Sequence, residues 1–187
     1  MAVEIELKVK VRGHDELRQR LRDVGASLAG KVLERNIFFE ISDHSLTKAD
    51  RGLRLRTSTN QQAGECRHIL TYKGPRQPGA LKRREELELR VEDANDARAL
   101  LEALGFRIDL EFEKRRESWM LECCRVELDE LPELGTFVEV EGPSEADVLA
   151  VQQRLGLAEL PLIRESYARL VAHHLKSRAV PKAILCF

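Results

Sequence analysis

The stretch VEIELKVKV, residues 3–11, sets Val3, Ile5, Leu7 and Val9 against Glu4, Glu6 and Lys8. Successive side chains of a strand point to opposite faces, so this segment predicts a strand with one apolar and one ionised face. The apolar face belongs against a core. The other face holds two carboxylates and an ammonium group in a row, and what that face meets decides the fold.

The pattern recurs. EELELRV at 85–91 aligns with VEIELKV at 3–9, matching Glu86 to Glu4, Glu88 to Glu6 and Arg90 to Lys8. VEVEG at 138–142 opens a third copy with Glu139 and Glu141. Each copy leads into helical spacing that ends near a glycine, Gly25, Gly105 or Gly156. Alternation predicts eight strands in all, at 2–12, 31–40, 52–59, 67–73, 81–91, 108–118, 121–129 and 136–141. Four helices are expected around Leu17–Val24, Ala97–Leu104, Val148–Leu155 and Tyr167–Leu175. Residues 42–51, SDHSLTKADR, read as a polar flap, and Pro and Gly mark hairpin loops in NQQAGEC and KGPRQPGA.

Of the 187 residues, 43% are hydrophobic, enough for a core, and 34% are charged. The 31 Lys and Arg against 32 Asp and Glu leave a net charge of −1, so no basic excess marks a nucleic-acid partner. Any strong field must come from local segregation of charge. Cys66, Cys123, Cys124 and Cys186 lack zinc-ligand spacing and suit reduced thiols, which points to the cytoplasm. No apolar run is long enough to span a membrane and no signal-peptide pattern opens the chain, so no membrane association is expected.

Basic residues follow the same period of two. GLRLR carries Arg54 and Arg56 on one face, LTYKGP carries Lys73, and LKRREELEL puts Lys82 and Arg84 in phase with Glu86 and Glu88. EKRRESW sets Lys114 and Arg116 in phase, and CRVELDEL does the same for Arg125, Glu127 and Asp129. The helices must cover the apolar face of the sheet, which leaves the charged faces together on the other side. A twisted sheet of this length tends to close. The expected architecture is α+β: an eight-stranded antiparallel closed β-barrel, a tunnel, with helices packed outside, over residues 1–175 and followed by a tail at 176–187. Enclosed charges must pair or bind something. Carboxylates suit Mg²⁺ or Mn²⁺, and Arg and Lys suit phosphate, so a metal–polyphosphate satisfies both sets.

Taken in order, Glu4-x-Glu6-x-Lys8, GLRLR, LTYKGP, RREELE, EKRRESW, VELDELPELGTFVEVEG and RESYARL resemble the CYTH family, the triphosphate tunnel metalloenzymes, over roughly residues 2–175. KGP, EKRR and the final SY are most similar to class IV adenylate cyclases, while LTKADRGLRLR is similar to the thiamine-triphosphatase branch. The resemblance implies metal positions at Glu4, Glu6, Glu86, Glu88, Asp129, Glu139 and Glu141, for Mg²⁺ or Mn²⁺. It implies phosphate-binding positions at Lys8, Arg54, Arg56, Lys73, Arg84, Lys114 and Arg116. Lys8 and Lys114 are the catalytic candidates, with Lys8 a candidate base among neighbouring cations.

The implied substrate is a small triphosphate. A cyclase would turn ATP into cyclic AMP and pyrophosphate, and a triphosphatase would hydrolyse inorganic or thiamine triphosphate. A nucleotide or polyphosphate binder without turnover is a third reading, opposed by the number of carboxylates. One departure stands out: Phe38, Phe39 and Glu40 occupy positions where many members read Tyr-Phe-Asp. Arg83, Glu85, Arg115 and Glu117 fall on the opposite phase and are expected at the surface or rim, whereas Trp119 and Tyr72 are expected as outward packing residues. His14, His44, His68, His173 and His174 are assigned to surface or core, and Tyr167 to starting the last helix and plugging the core. A homodimer stays open through exposed strand edges.

Overall fold

The computed structural model describes residues 2–61, 63–178 and 184–187, with side chains from Ile5 onward. The chain runs β1 (Ala2–Val11), α1 (Asp15–Asp23), β2 (Ser27–Glu40), α2 (Ser45–Lys48), β3 (Gly52–Asn60), β4 (Cys66–Gln77) and β5 (Lys82–Val91). It continues through α3 (Ala94–Ala103), β6 (Arg107–Leu121), β7 (Cys124–Leu131), β8 (Gly135–Gly142), α4 (Glu145–Arg154), α5 (Tyr167–Ser177) and β9 (Ile184–Leu185). Neighbouring strands follow the order β2-β3-β4-β5-β1-β8-β7-β6-β9, and β2 also pairs with β6. That last pairing closes eight antiparallel strands into a ring, as the alternation predicted.

Register fixes which charges meet. On one side of β1, Glu4 faces Arg84 and Glu6 faces Lys82 on β5. On its other side Glu6 faces Glu141 and Lys8 faces Glu139 on β8. Because strands alternate, Glu6, Lys8 and the residues they face point inward, and their apolar neighbours Ile5, Leu7 and Val9 point out. Leu7, Val9, Val126, Leu128, Val138 and Val140 then meet Leu17 and Leu21 of α1 and Val148, Val151 and Leu155 of α4 in one buried cluster. Complete burial of such a side chain contributes about 1.5–3 kcal/mol. α4 lies so close to β8 that a Cβ at Gly142 would come within 2.7 Å of Cys124 Sγ and 2.9 Å of Val148 Cγ2, so the position admits no side chain. On the opposite wall α3 places Leu101 against Ile37, Phe39 and Leu55.

Two features refine the expected architecture. α5 does not lie outside with the other long helices. Its Tyr167, Val171 and Leu175 pack against Leu110, Phe112, Leu131 and Phe137. Phe112 and Phe137 share the inward phase of Lys114 and Glu139, so α5 fills one end of the barrel. The end of the chain also rejoins the sheet: β9 pairs parallel with Glu111 and Phe112 of β6, and Leu185 is buried in the same cluster.

The flap contains the single-turn α2. Glu40 anchors it, accepting hydrogen bonds from the backbone N–H groups of Ile41 (2.8 Å), Leu46 (3.1 Å) and Thr47 (2.8 Å). Asp50 docks its far end, accepting from the backbone N–H and the Nε of Arg76, both at 2.9 Å. Among the described residues no helix is long and apolar enough to cross a membrane.

Candidate functional site

The inward phase of the ring encloses a cavity of about 1090 Å³. Among its described lining residues are twelve Lys or Arg and eight Asp or Glu, an excess of four cations inside a chain whose net charge is −1. The field is therefore segregated rather than global, and it favours a polyanion. Lys8, Arg54, Arg56, Lys73, Arg84, Lys114 and Arg116, all expected at phosphate positions, line this one cavity.

The acidic candidates divide. Carboxylate oxygens of Glu6, Glu139 and Glu141 lie within 4.8 Å of one another. Three like charges converge there with oxygen donors only, a set that fits a hard divalent cation. Glu86 and Glu88 also line the cavity but stand on the β4–β5 wall, Glu86 paired with Lys73, and Glu88 accepting from Thr71 at 3.2 Å and 3.9 Å from Arg54. Asp129 stands apart from the trio. It is fully buried and takes Arg116 Nε at 2.7 Å, Arg116 Nη2 at 2.6 Å and Lys114 at 3.2 Å. The Glu4 side chain lies outside the described residues.

Around the trio, Lys8 Nζ lies 3.1 Å from Glu139, donates to the carbonyl of Glu165 at 2.9 Å and sits 3.9 Å from the centre of the Tyr167 ring. Lys114 reaches Glu34 at 3.3 Å and approaches the same ring at 4.9 Å. Arg116 bridges Asp129 to Glu139, at 2.5 Å from the latter, and Lys82 meets Glu6 at 2.5 Å. Arg84 contacts Asp50, so the flap touches the cationic wall directly.

Burial and neighbours tune these groups. For Glu139, burial opposes ionisation, but Lys8, Arg116, Lys114 and Lys82 outweigh it and hold the carboxyl well below its ordinary value. For Glu34, burial is likewise outweighed by Arg56, Lys114, Arg116 and Arg54. Burial weakens the Arg116 charge, yet Asp129 and Glu127 raise it well above the usual guanidinium value. Burial, then Asp129 and Glu139, push the Tyr167 hydroxyl well up. A consequence follows for acid stability. Carboxyls with depressed folded values contribute stability above the unfolded value of 4.5, and that contribution fades as pH falls from 4.5 towards their folded values. Urea midpoints measured from pH 6 to pH 3 are expected to drop steeply below about pH 4.5, and Glu34→Gln to flatten that drop. An unchanged slope in the variant removes Glu34 from the network.

Some residues escaped the sequence reading. Glu117, expected at the surface or rim, is buried because Arg18, Lys31 and Trp119 all bind it, while Trp119 packs in the core outside the barrel wall, as its phase suggested. His44 and His173 are among the residues lining the cavity. Asn36 and Glu34 share the inward phase of β2 with Phe38 and Glu40, a signal readable from their spacing.

The profile of the CYTH domain matches residues 2–167. The chain belongs to the CYTH domain family. It is 28% identical over 177 residues to a candidate adenylate cyclase, MJ0240, of Methanocaldococcus jannaschii, covering 90% of this chain and 98% of that one. The solved PH1819 protein of Pyrococcus horikoshii superposes with a TM-score of 0.79 at 28% identity, covering 91% and 99% of the two chains. A Hippeastrum adenylyl cyclase candidate, described as having a dominant triphosphatase activity, shares the fold with a TM-score of 0.63 at 17% identity, covering 94% and 96%. In this CYTH chain the barrel thus gathers its cations around one cavity and brings three of the cavity's carboxylates together within it.

Proposed function

We propose that this CYTH protein is a divalent-metal-dependent enzyme that converts ATP to cyclic AMP and pyrophosphate. One observation carries the reading: a cavity of about 1090 Å³ joins a cationic wall and a three-carboxylate cluster to an apolar end formed by Phe38, Leu53, Leu110, Phe112, Ala172 and Leu175. Inorganic triphosphate has no use for the apolar end, whereas an organic triphosphate fills both.

Glu6, Glu139 and Glu141 would hold Mg²⁺ or Mn²⁺, which supplies a lowered pKa for the ribose 3′-hydroxyl and charge neutralisation on the phosphates. Arg54, Arg56, Lys73 and Arg84 bind the β- and γ-phosphates from the β3–β4–β5 wall. The 3′-hydroxyl releases its proton to solvent as its oxygen attacks the α-phosphorus, the bond to the bridging oxygen of the β-phosphate breaks, and pyrophosphate leaves with the bond's electron pair. Lys8 and Lys114 would meet the growing charge, and the carboxylates that already fix each of them support the role, because little reorganisation would accompany the step. The barrel end filled by α5 limits water there.

A triphosphatase uses the same wall with water as nucleophile, and the activity described for the Hippeastrum protein favours it as the second reading. Purified protein with Mg²⁺ or Mn²⁺ and ATP, inorganic triphosphate or thiamine triphosphate separates them. Cyclic AMP with pyrophosphate is the expected product. Orthophosphate instead selects the triphosphatase, and tight binding without products overturns both.

A further inference from the structure

We propose that Asn36 is a substrate-binding residue whose amide donates a hydrogen bond to a non-bridging phosphate oxygen of the triphosphate, an assignment that rests on the triphosphate reading of the cavity. Asn36 sits mid-strand on β2, opposite Arg56 on β3 and Phe112 on β6. It is 1% exposed, and its side chain lines the cavity. Arg56 Nε donates to Asn36 Oδ1 at 3.0 Å. A guanidinium has donors only, so the oxygen of the amide must face it and the NH₂ group must turn the other way.

That NH₂ group has no hydrogen-bond partner. An unmet buried donor costs about 1–3 kcal/mol, and such groups in folded proteins call for an explanation. Aspartate would keep the contact with Arg56, and a cationic surrounding would welcome its charge. Asparagine instead keeps one free donor and adds no negative charge, which suits a wall that must receive an anion. The acceptor that this surrounding concentrates is an anionic oxygen, because Arg54, Arg56, Lys114 and Arg116 line the same cavity. The amide thus reads geometry where the cations supply attraction: it offers a short, directed donor held in place by Arg56, itself 3.2 Å from Glu34.

The test is calorimetric titration of tripolyphosphate, ATP and adenosine into wild type, Asn36→Ala and Asn36→Asp, with the side-chain amide signal of Asn36 followed by ¹⁵N–¹H correlation spectra. The expected result is a Kd for tripolyphosphate and for ATP that rises roughly tenfold or more in Asn36→Ala, by a similar factor for both, consistent with losing one hydrogen bond to a charged group. Asn36→Asp, which preserves the acceptor for Arg56 and serves if the alanine variant does not fold, is expected to lose more. The Asn36 amide signal of wild type, identified by its loss in either variant, should move on adding tripolyphosphate. A residue that merely positions Arg56 would not show that movement. Unchanged Kd values, or an unmoved amide signal while wild type binds, overturn the assignment alone. A loss confined to ATP means that the amide reads the nucleoside and overturns it too. Failure of wild type to bind either triphosphate overturns the triphosphate reading together with the assignment.

Discussion

Glu6→Gln is expected to lower metal-dependent turnover at least about a hundredfold while leaving the melting temperature within a few degrees of wild type. The substitution keeps the size and a hydrogen-bonding oxygen for Lys82, now 2.5 Å away, but removes one of three charges whose oxygens lie within 4.8 Å. A hard cation bound by carboxylate oxygens depends on their summed charge, and changes even to groups that only support metal ligands typically cost 10–100-fold. The loss should therefore show first as weaker Mn²⁺ binding, measured by calorimetry or by electron paramagnetic resonance of free Mn²⁺, and then as lost product. Relief of like-charge repulsion in the trio offsets the weakened pairing with Lys82, so stability moves little. Wild-type Mn²⁺ affinity in the variant would remove Glu6 from any metal site and leave the trio without its cation.

Asp129→Asn is expected to behave in the opposite way, unfolding first and losing activity as a consequence. Asp129 is wholly buried and holds both Arg116 and Lys114, the latter nearly as deeply enclosed. Neutralising it leaves two buried cations short of a partner and turns an amide NH₂ towards a guanidinium that can only donate. Breaking a buried charge pair from one side costs about 3–5 kcal/mol. For a chain of this size that corresponds to a fall in melting temperature of about 10 °C. Thermal unfolding followed by circular dichroism measures it. A variant with unchanged melting temperature and lost Mn²⁺ binding would place Asp129 with the metal ligands after all. The two substitutions thus separate residues that share one chemical type and one strand phase.

That separation shows how far the chain's pattern reaches. The period-two alternation of β1, β3, β5, β7, β8 and of β6 from Lys114 onward was legible because a half-buried strand must sort its residues by solvation. The three Glu-x-Glu copies and the in-phase Arg and Lys announced a charged interior for the same reason. What the alternation could not rank was depth along the tunnel. Glu6, Asp129 and Glu139 share a phase, and only their heights in the ring distinguish a carboxylate facing two others from one locked under Arg116. Glu117 shows the same limit from outside: its phase placed it off the tunnel, correctly, but burial under α1 depends on Arg18 and Lys31 arriving from distant segments.

The sequence by itself determined the strand faces, the long helices and the meeting of opposite charges, because these follow from local periodicity and from the cost of hiding unpaired ions. Tertiary structure alone decided which carboxylates converge, that α5 enters the barrel end, that the final residues return to β6 and that the buried Asn36 amide keeps an unpartnered donor. Those outcomes depend on register between segments far apart in the chain. A shift of one residue in that register would reverse every face without altering a single local pattern.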